Sequence, residues 1–169
     1  MVNGKYKKTN NMNTNELVCF TDGSCINNGK KNARASYANV WPFDPEYDCA
    51  FPLQGNVHTN NRAEFTALVQ AFTTATKMDP GGSKTLVVYT DSMLLINSVN
   101  NWMGNWKKKG WKKSNGEQVL NLDLIKSLDE MKSRRNLILH HVKAHTGKKD
   151  WVSVNNNKVD IMARSAVSV

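Results

Sequence analysis

The sequence predicts an α/β domain built on a five-stranded mixed sheet flanked by helices. Three observations carry that expectation. Two apolar runs of strand formers, Val18-Cys19-Phe20-Thr21 and Leu86-Val87-Val88-Tyr89-Thr90, each end in an aspartate, Asp22 and Asp91. Strands of that composition lie inside a sheet, covered on both faces. The connection between them is long and contains a helical pattern, which makes the two strands parallel, whereas the short links around Pro42 and Pro45 suit an antiparallel meander.

Taken in order, the first strand covers Glu16 to Thr21. A loop is expected from Gly23 to Lys31, because its glycines and asparagines suit a tight turn. Ala33 to Trp41 and Tyr47 to Leu53 read as the next two strands. Asn60 to Lys77 is the first long helix, capped by Asn60 or Asn61, with Phe65, Leu68, Val69, Phe72 and Ala75 on one buried stripe. Glu64 borders that stripe, and an acid in the first helical turn also suits the helix dipole. Pro80-Gly81-Gly82 closes the helix and leads into the strand that ends at Asp91.

Ser92 to Trp106 is expected to be helical, followed by a helix from Leu120 to Lys132 and a strand from Leu137 to Val142. Alternation places His140 and His141 on opposite faces of that strand, both in structural roles. The last helix is expected from Asn156 to Val167, with Asp160 near its N-terminal end.

The chain has 169 residues and a net charge of +9, enough for one domain with a sizeable core and basic enough to point to a polyanionic partner. Nucleic acid fits better than a membrane, since no stretch is apolar enough to span or anchor. Cys19, Cys25 and Cys49 form no CxxC pair and read as free thiols of a reducing compartment. Residues 1–15 read as a flexible basic lead-in without a secretion signal, and residues 16–169 as the folded domain. From Trp102 to Lys113, five lysines and three tryptophans occupy twelve residues with no acid among them, a mixture suited to a nucleic-acid surface.

Four carboxylates stand where they would converge: Asp22 and Asp91 at neighbouring strand ends, Glu64 and Asp160 on helices packed against the sheet. Any single strand-end aspartate is more often a turn former or cap. Together they repel one another and need a cation. An all-oxygen site suits Mg²⁺ or Mn²⁺ rather than Zn²⁺, and beside a basic surface it suggests two-metal phosphodiester hydrolysis.

The segments Thr21-Asp22-Gly23-Ser24, Thr59-Asn60-Asn61-Arg62-Ala63-Glu64, Tyr89-Thr90-Asp91-Ser92, Asn105-Trp106-Lys107-Lys108-Lys109-Gly110-Trp111, His141-Val142-Lys143-Ala144-His145-Thr146-Gly147 and Asn156-Asn157-Lys158-Val159-Asp160 closely resemble type 1 ribonuclease H, in order and over nearly the whole chain. The resemblance implies a ribonuclease H-like fold and cleavage of the RNA strand of an RNA/DNA hybrid, with two Mg²⁺ ions (Mn²⁺ as a substitute) and 5′-phosphate and 3′-hydroxyl products. By position, Asp22 would bridge both metals, Glu64 and Asp91 would complete one site and Asp160 the other. His145 matches the family's mobile histidine, a residue type that changes protonation near neutral pH. Cys25, Asn27, Asn28, Asn60 and Asn61 fall where relatives read 2′-hydroxyls, which distinguish RNA from DNA. Thr59 and Asn121 match part of a pocket for a DNA phosphate, and Trp102 with Lys107, Lys108 and Lys109 matches the basic protrusion that holds the DNA strand.

Three positions depart from the pattern. Val57 replaces the arginine of a full phosphate pocket, so that grip is expected to be either weaker or supplied by His58. Leu94 replaces an aromatic of the DNA channel, and the loop from His145 to Asp160 is longer than usual. The chain is expected to act as a monomer inside the cell, in cytoplasm or nucleus. Two alternatives stand beside an active cellular enzyme: a domain of a retroelement reverse transcriptase, and a hybrid-binding protein without catalysis.

Overall fold

The computed structural model describes residues 15–167, so the basic lead-in expected at the N-terminus falls almost wholly outside the described residues. The elements run β1 (Glu16–Ile26), β2 (Arg34–Val40), β3 (Cys49–Pro52), α1 (Asn60–Met78), β4 (Thr85–Thr90), α2 (Met93–Asn97), α3 (Met103–Lys108), α4 (Leu122–Arg134), β5 (Leu137–His141) and α5 (Trp151–Ser165). A 3₁₀ turn, Pro45–Tyr47, precedes β3 and shortens the strand expected from Tyr47. A π turn, Ser98–Trp102, joins α2 to α3, so the helix after Asp91 continues to Lys108.

The five strands form one mixed sheet in the order β3-β2-β1-β4-β5. The β1–β4 and β4–β5 pairs are parallel, and the β1–β2 and β2–β3 pairs are antiparallel. Period-two alternation splits the central strands between two cores. Leu17, Cys19, Leu86 and Val88 pack with Leu68 and Phe72 of α1 and with Leu128 of α4. Val18, Phe20, Val87 and Tyr89 pack with Val159 and Ala163 of α5. The same alternation puts Asp22 on the α5 side and Gly23 on the α1 side.

β1 is longer than its sequence suggests. Pairing with β4 stops at Phe20↔Tyr89, but pairing with β2 continues through Asp22↔Ala38 to Ile26↔Arg34. Asp22 therefore lies within a strand rather than at its end, where one neighbour has stopped and the other has not. The tight turn is confined to the residues after Ile26, with Asn27 in the left-handed region (φ 54°). Residues with weak strand propensity are held extended here by the partner strand's ladder.

α5 begins at Trp151, five positions before the expected start, so Asp160 sits in mid-helix rather than near the N-terminus. Val152, Val154 and Asn155 to Asn157 are poor helix formers, which hides the first turns from a sequence reading. Tertiary contact overrides them. The Trp151 ring packs on Phe20, Phe43 and Tyr89 at centroid distances of 5.4, 5.8 and 5.9 Å, and Asp150 caps the helix through Ser153 N–H (3.2 Å). Most of the apparently long loop after His145 is thus helix.

His140 and His141 do alternate across β5, but this is an edge strand and both are exposed. His140 lies against Tyr89, centroid to centroid 5.0 Å.

Candidate metal centre and nucleic-acid interface

The four carboxylates converge at the edge of the sheet. Extending the β1–β4 register by two residues sets Asp22 across from Asp91. Glu64 reaches them from α1. Its helix is capped by Thr59, whose Oγ1 accepts from Arg62 N–H at 3.0 Å, in place of the expected Asn60 or Asn61. Glu64 therefore falls beyond the first turn and is buried, so the helix dipole does not account for it. One oxygen each from Asp22, Glu64 and Asp91 lies within 4.8 Å of the others. Asp160 joins through a side-chain hydrogen bond with Asp22.

Burial and mutual repulsion dominate the electrostatics. Asp22 is pushed up to about 10, first by burial, then by the charges of Glu64, Asp91 and Asp160. Glu64 is pushed up to about 8 by burial and by Asp91, although hydrogen bonds from Asp22 and the Gly23 amide work in the opposite direction. Asp91 is raised by burial and by Asp160, and is partly offset by His145, His141 and a hydrogen bond from Asn156. Such a cluster holds protons unless a cation replaces them, and three carboxylate oxygens at this spacing are a hard ligand set suited to a divalent metal.

A cleft of about 420 Å³ opens over the cluster and is walled in part by Cys25, Asn60, His145 and Arg164. His145 adopts left-handed backbone (φ 54°), a conformation sparsely populated by non-glycine residues. Asn28 Oδ1 accepts from Asn60 N–H (3.1 Å), which ties the β1–β2 turn to the start of α1. Asn27, Asn60 and Asn61 are exposed, and Cys25 is half-buried. Thr59 and Asn121 meet around Arg62, whose guanidinium lies 3.4 Å from Asn121 Oδ1 and forks onto Asp123 at 2.9 and 2.6 Å. Trp102 is 40% exposed above a second cavity of about 280 Å³ shared with Leu94, Trp106 and Asn121. Lys108 and Lys109 are exposed, whereas Lys107 pairs with Asp129 at 2.9 Å.

His58 does not supply the grip missing at Val57. Its Nδ1 accepts from Ala35 N–H (2.9 Å) and its Nε2 lies 2.9 Å from Gly55 O, so both ring nitrogens are engaged by backbone.

Three residues of the site escape a reading of the sequence. Asn156 bonds Asp91, Arg164 pairs with Asp160 at 3.1 Å, and the charge of His141 acts on Asp91. Asn156 and Arg164 lie one helical turn before and after Asp160, a spacing that carries the signal once the helix is known to start at Trp151.

A family model described as RNase H matches residues 14–168. This chain belongs to the RNase H family. It is 36% identical over 148 residues to Ribonuclease H1 of Rattus norvegicus, covering 88% of this chain and 49% of the rat protein. It is 35% identical over 156 residues to Ribonuclease H of Pseudoalteromonas atlantica, covering 90% of each. The chain thus spans about half the length of the mammalian relatives it matches and most of the bacterial one. Among solved structures, the prototype foamy virus RNase H domain superposes with a TM-score of 0.73 at 27% identity, covering 92% of this chain and 96% of that domain. The type 1 RNase H assignment, the mixed five-stranded sheet and the flanking helices all agree with the expectation from sequence. No helix among the described residues is long and apolar enough to cross a membrane.

Proposed function

We propose that this chain is an endoribonuclease that hydrolyses the RNA strand of RNA/DNA hybrids, leaving 5′-phosphate and 3′-hydroxyl ends. The observation that carries it is the buried triad of Asp22, Glu64 and Asp91 with Asp160 bonded to Asp22, in a chain of the RNase H family. Two Mg²⁺ ions, one held by Asp22, Glu64 and Asp91 and the other by Asp22 and Asp160, would supply the charge that activates the attacking water and stabilises the leaving oxygen. His145 stands at the cleft wall beside Asp91, where an imidazole can pass a proton to the leaving side. Cys25, Asn27, Asn28, Asn60 and Asn61 line the approach for the RNA strand's 2′-hydroxyls. Thr59, Asn121, Trp102 and the lysines from Lys107 to Lys109 receive the DNA strand. Identities of 31–36% to curated ribonucleases H exceed the 27% to the foamy viral domain, which favours a cellular enzyme over a reverse-transcriptase domain.

An end-labelled cleavage assay tests this. RNA/DNA hybrid, duplex RNA, duplex DNA and single-stranded RNA are each offered with Mg²⁺ and with EDTA. Metal-dependent cutting confined to the hybrid's RNA strand is expected, and Asp22→Asn should abolish it while leaving hybrid binding. Tight hybrid binding with no cutting under Mg²⁺ or Mn²⁺ would instead establish a binding protein without catalysis.

A further inference from the structure

Next to the carboxylate cleft lies a separate cavity of about 300 Å³, formed where the loop after β5 meets the first turns of α5. The two spaces share three wall residues, Asp91, His145 and Asp160. The far side of this cavity is basic. Lys143, Lys148 and Lys149 line it, are exposed, and have no ion pair among the described residues. The nearby acid Asp150 is committed to capping Ser153. The loop is held in shape by Thr146, whose Oγ1 accepts from Lys148 N–H (3.2 Å) and lies 3.4 Å from Ser153 Oγ.

The inner wall holds Asn156, which is 4% exposed. Its amide bonds Asp91, while its Oδ1 has no hydrogen-bond partner within the protein. A buried acceptor left without a donor is costly, and an O–H group such as a ribose hydroxyl suits it. Three lysines free of ion pairs on one side of a cavity suit a phosphate, which offsets their mutual repulsion. Cations outside and an acceptor inside together describe a ribonucleotide unit.

We propose that this cavity is a subsite for one phosphodiester of the RNA strand, adjoining the bond that is cut and held by Lys143, Lys148 and Lys149. The inference rests on the hybrid-cleavage reading above and extends it to a named substrate phosphate. The RNA strand is the one that enters, because the strand crossing the carboxylates continues past the shared wall. The cavity beneath Trp102, assigned above to the DNA strand, has no lining residue in common with this one. Lys148 and Lys149 immediately precede the Asp150 cap of α5, in the short loop that the helix start at Trp151 leaves after His145.

Hybrid binding is measured by fluorescence anisotropy over a range of salt in two proteins, D22N and D22N/K148Q/K149Q. Single neutral methylphosphonate linkages are placed at successive positions of the RNA strand, and then of the DNA strand. The lysine changes should weaken binding roughly tenfold and lower the salt slope by about one per lost phosphate contact. One RNA-strand methylphosphonate should cost D22N a similar factor and cost the lysine variant nothing. Far-ultraviolet circular dichroism should be the same for both proteins. A matching position on the DNA strand, or equal additive losses at every position, would overturn the subsite. So would inorganic phosphate binding that depends on the lysines while hybrid binding does not, since that marks a small-anion site. If D22N fails to prefer hybrid over duplex DNA and duplex RNA, the hybrid reading itself falls and the subsite with it, an outcome distinguishable because methylphosphonates need not be compared at all.

Discussion

Gly23 and Glu64 meet across 41 positions of sequence: the Gly23 amide donates to the Glu64 carboxylate. The backbone of α1 presses so closely on β1 that a Cβ at Gly23 would lie 2.6 Å from the Glu64 nitrogen and 2.8 Å from the Ala63 carbonyl carbon. This contact sets how near Glu64 stands to Asp22. Neither main chain has a flexible side chain that could yield.

Gly23→Ala is therefore expected to push α1 off the sheet. Overpacking of this kind costs about 1–3 kcal/mol, readable as a lower urea midpoint. The displaced Glu64 should cost more in rate than in stability. Steady-state kinetics on hybrid should show kcat reduced on the order of a hundredfold, the scale of a misplaced catalytic group. A variant with native kcat would separate Glu64 placement from this contact.

The carboxylate cluster makes a prediction about pH. Asp22 and Glu64 are raised from ordinary values of 3.8 and 4.5 to about 10 and 8, so the metal-free native state binds protons that the unfolded chain has released at neutral pH. Their contribution to stability is full below the ordinary carboxylate range and is lost as pH rises toward 8 and beyond. In EDTA, Tm should fall between pH 5 and pH 8. Asp22→Asn should raise Tm at pH 8 by more than at pH 5, because an amide needs no proton taken up on folding, and that uptake costs more the higher the pH. Saturating Mg²⁺ should recover the wild-type loss, by about 2.7 kcal/mol at a hundredfold excess over Kd. A wild-type Tm that rises from pH 5 to pH 8 in EDTA would contradict this picture.

Arg135 is 5% exposed and clamps the end of α1 to the start of β4. Its guanidinium lies 2.8 Å from Asp79 Oδ2, 2.8 Å from Lys84 O, 3.2 Å from Ala75 O and 2.5 Å from Asp79 O. The pairing holds the Asp79 carboxyl below its ordinary range. Asp79→Ala leaves a buried guanidinium without its counter-charge and should cost about 3–5 kcal/mol in denaturant unfolding. Hybrid cleavage by the folded fraction should be unchanged, since the clamp is remote from the carboxylates.

His58 gives a contrasting expectation. Both of its ring nitrogens are taken by backbone, at Ala35 and Gly55. His58→Ala should lower stability by about 1–3 kcal/mol, the cost of an unsatisfied buried donor. The slope of hybrid affinity against salt should stay the same. A slope reduced by about one would assign His58 to a phosphate.

Much of this molecule is legible from local pattern. The double-sided burial of β1 and β4 follows from their continuous apolar runs. The stripe on α1 follows from its 3.6-residue spacing, and the four carboxylates were each found beside such an element. The first half of α5 was not legible, because Val152, Val154 and three successive asparagines argue against a helix that Trp151 secures through rings from β1, β4 and the segment before β3.

The sequence by itself determined which residues face which side of the sheet, and so which acids reach its edge. That information is carried by periods of two and 3.6, which need only near neighbours in the chain. Only the tertiary structure decided that β1 runs past Asp22, that His58 is occupied, that Arg164 and Asn156 flank Asp160 within the site, and that Lys148 and Lys149 line the cavity next to the carboxylate cleft. Each of these depends on a partner that the local pattern does not name: a strand's ladder, a ring packed from another element, or a backbone amide more than twenty positions away. Such contacts form only when the whole sheet is assembled, and there they outweigh the weak propensities of single residues.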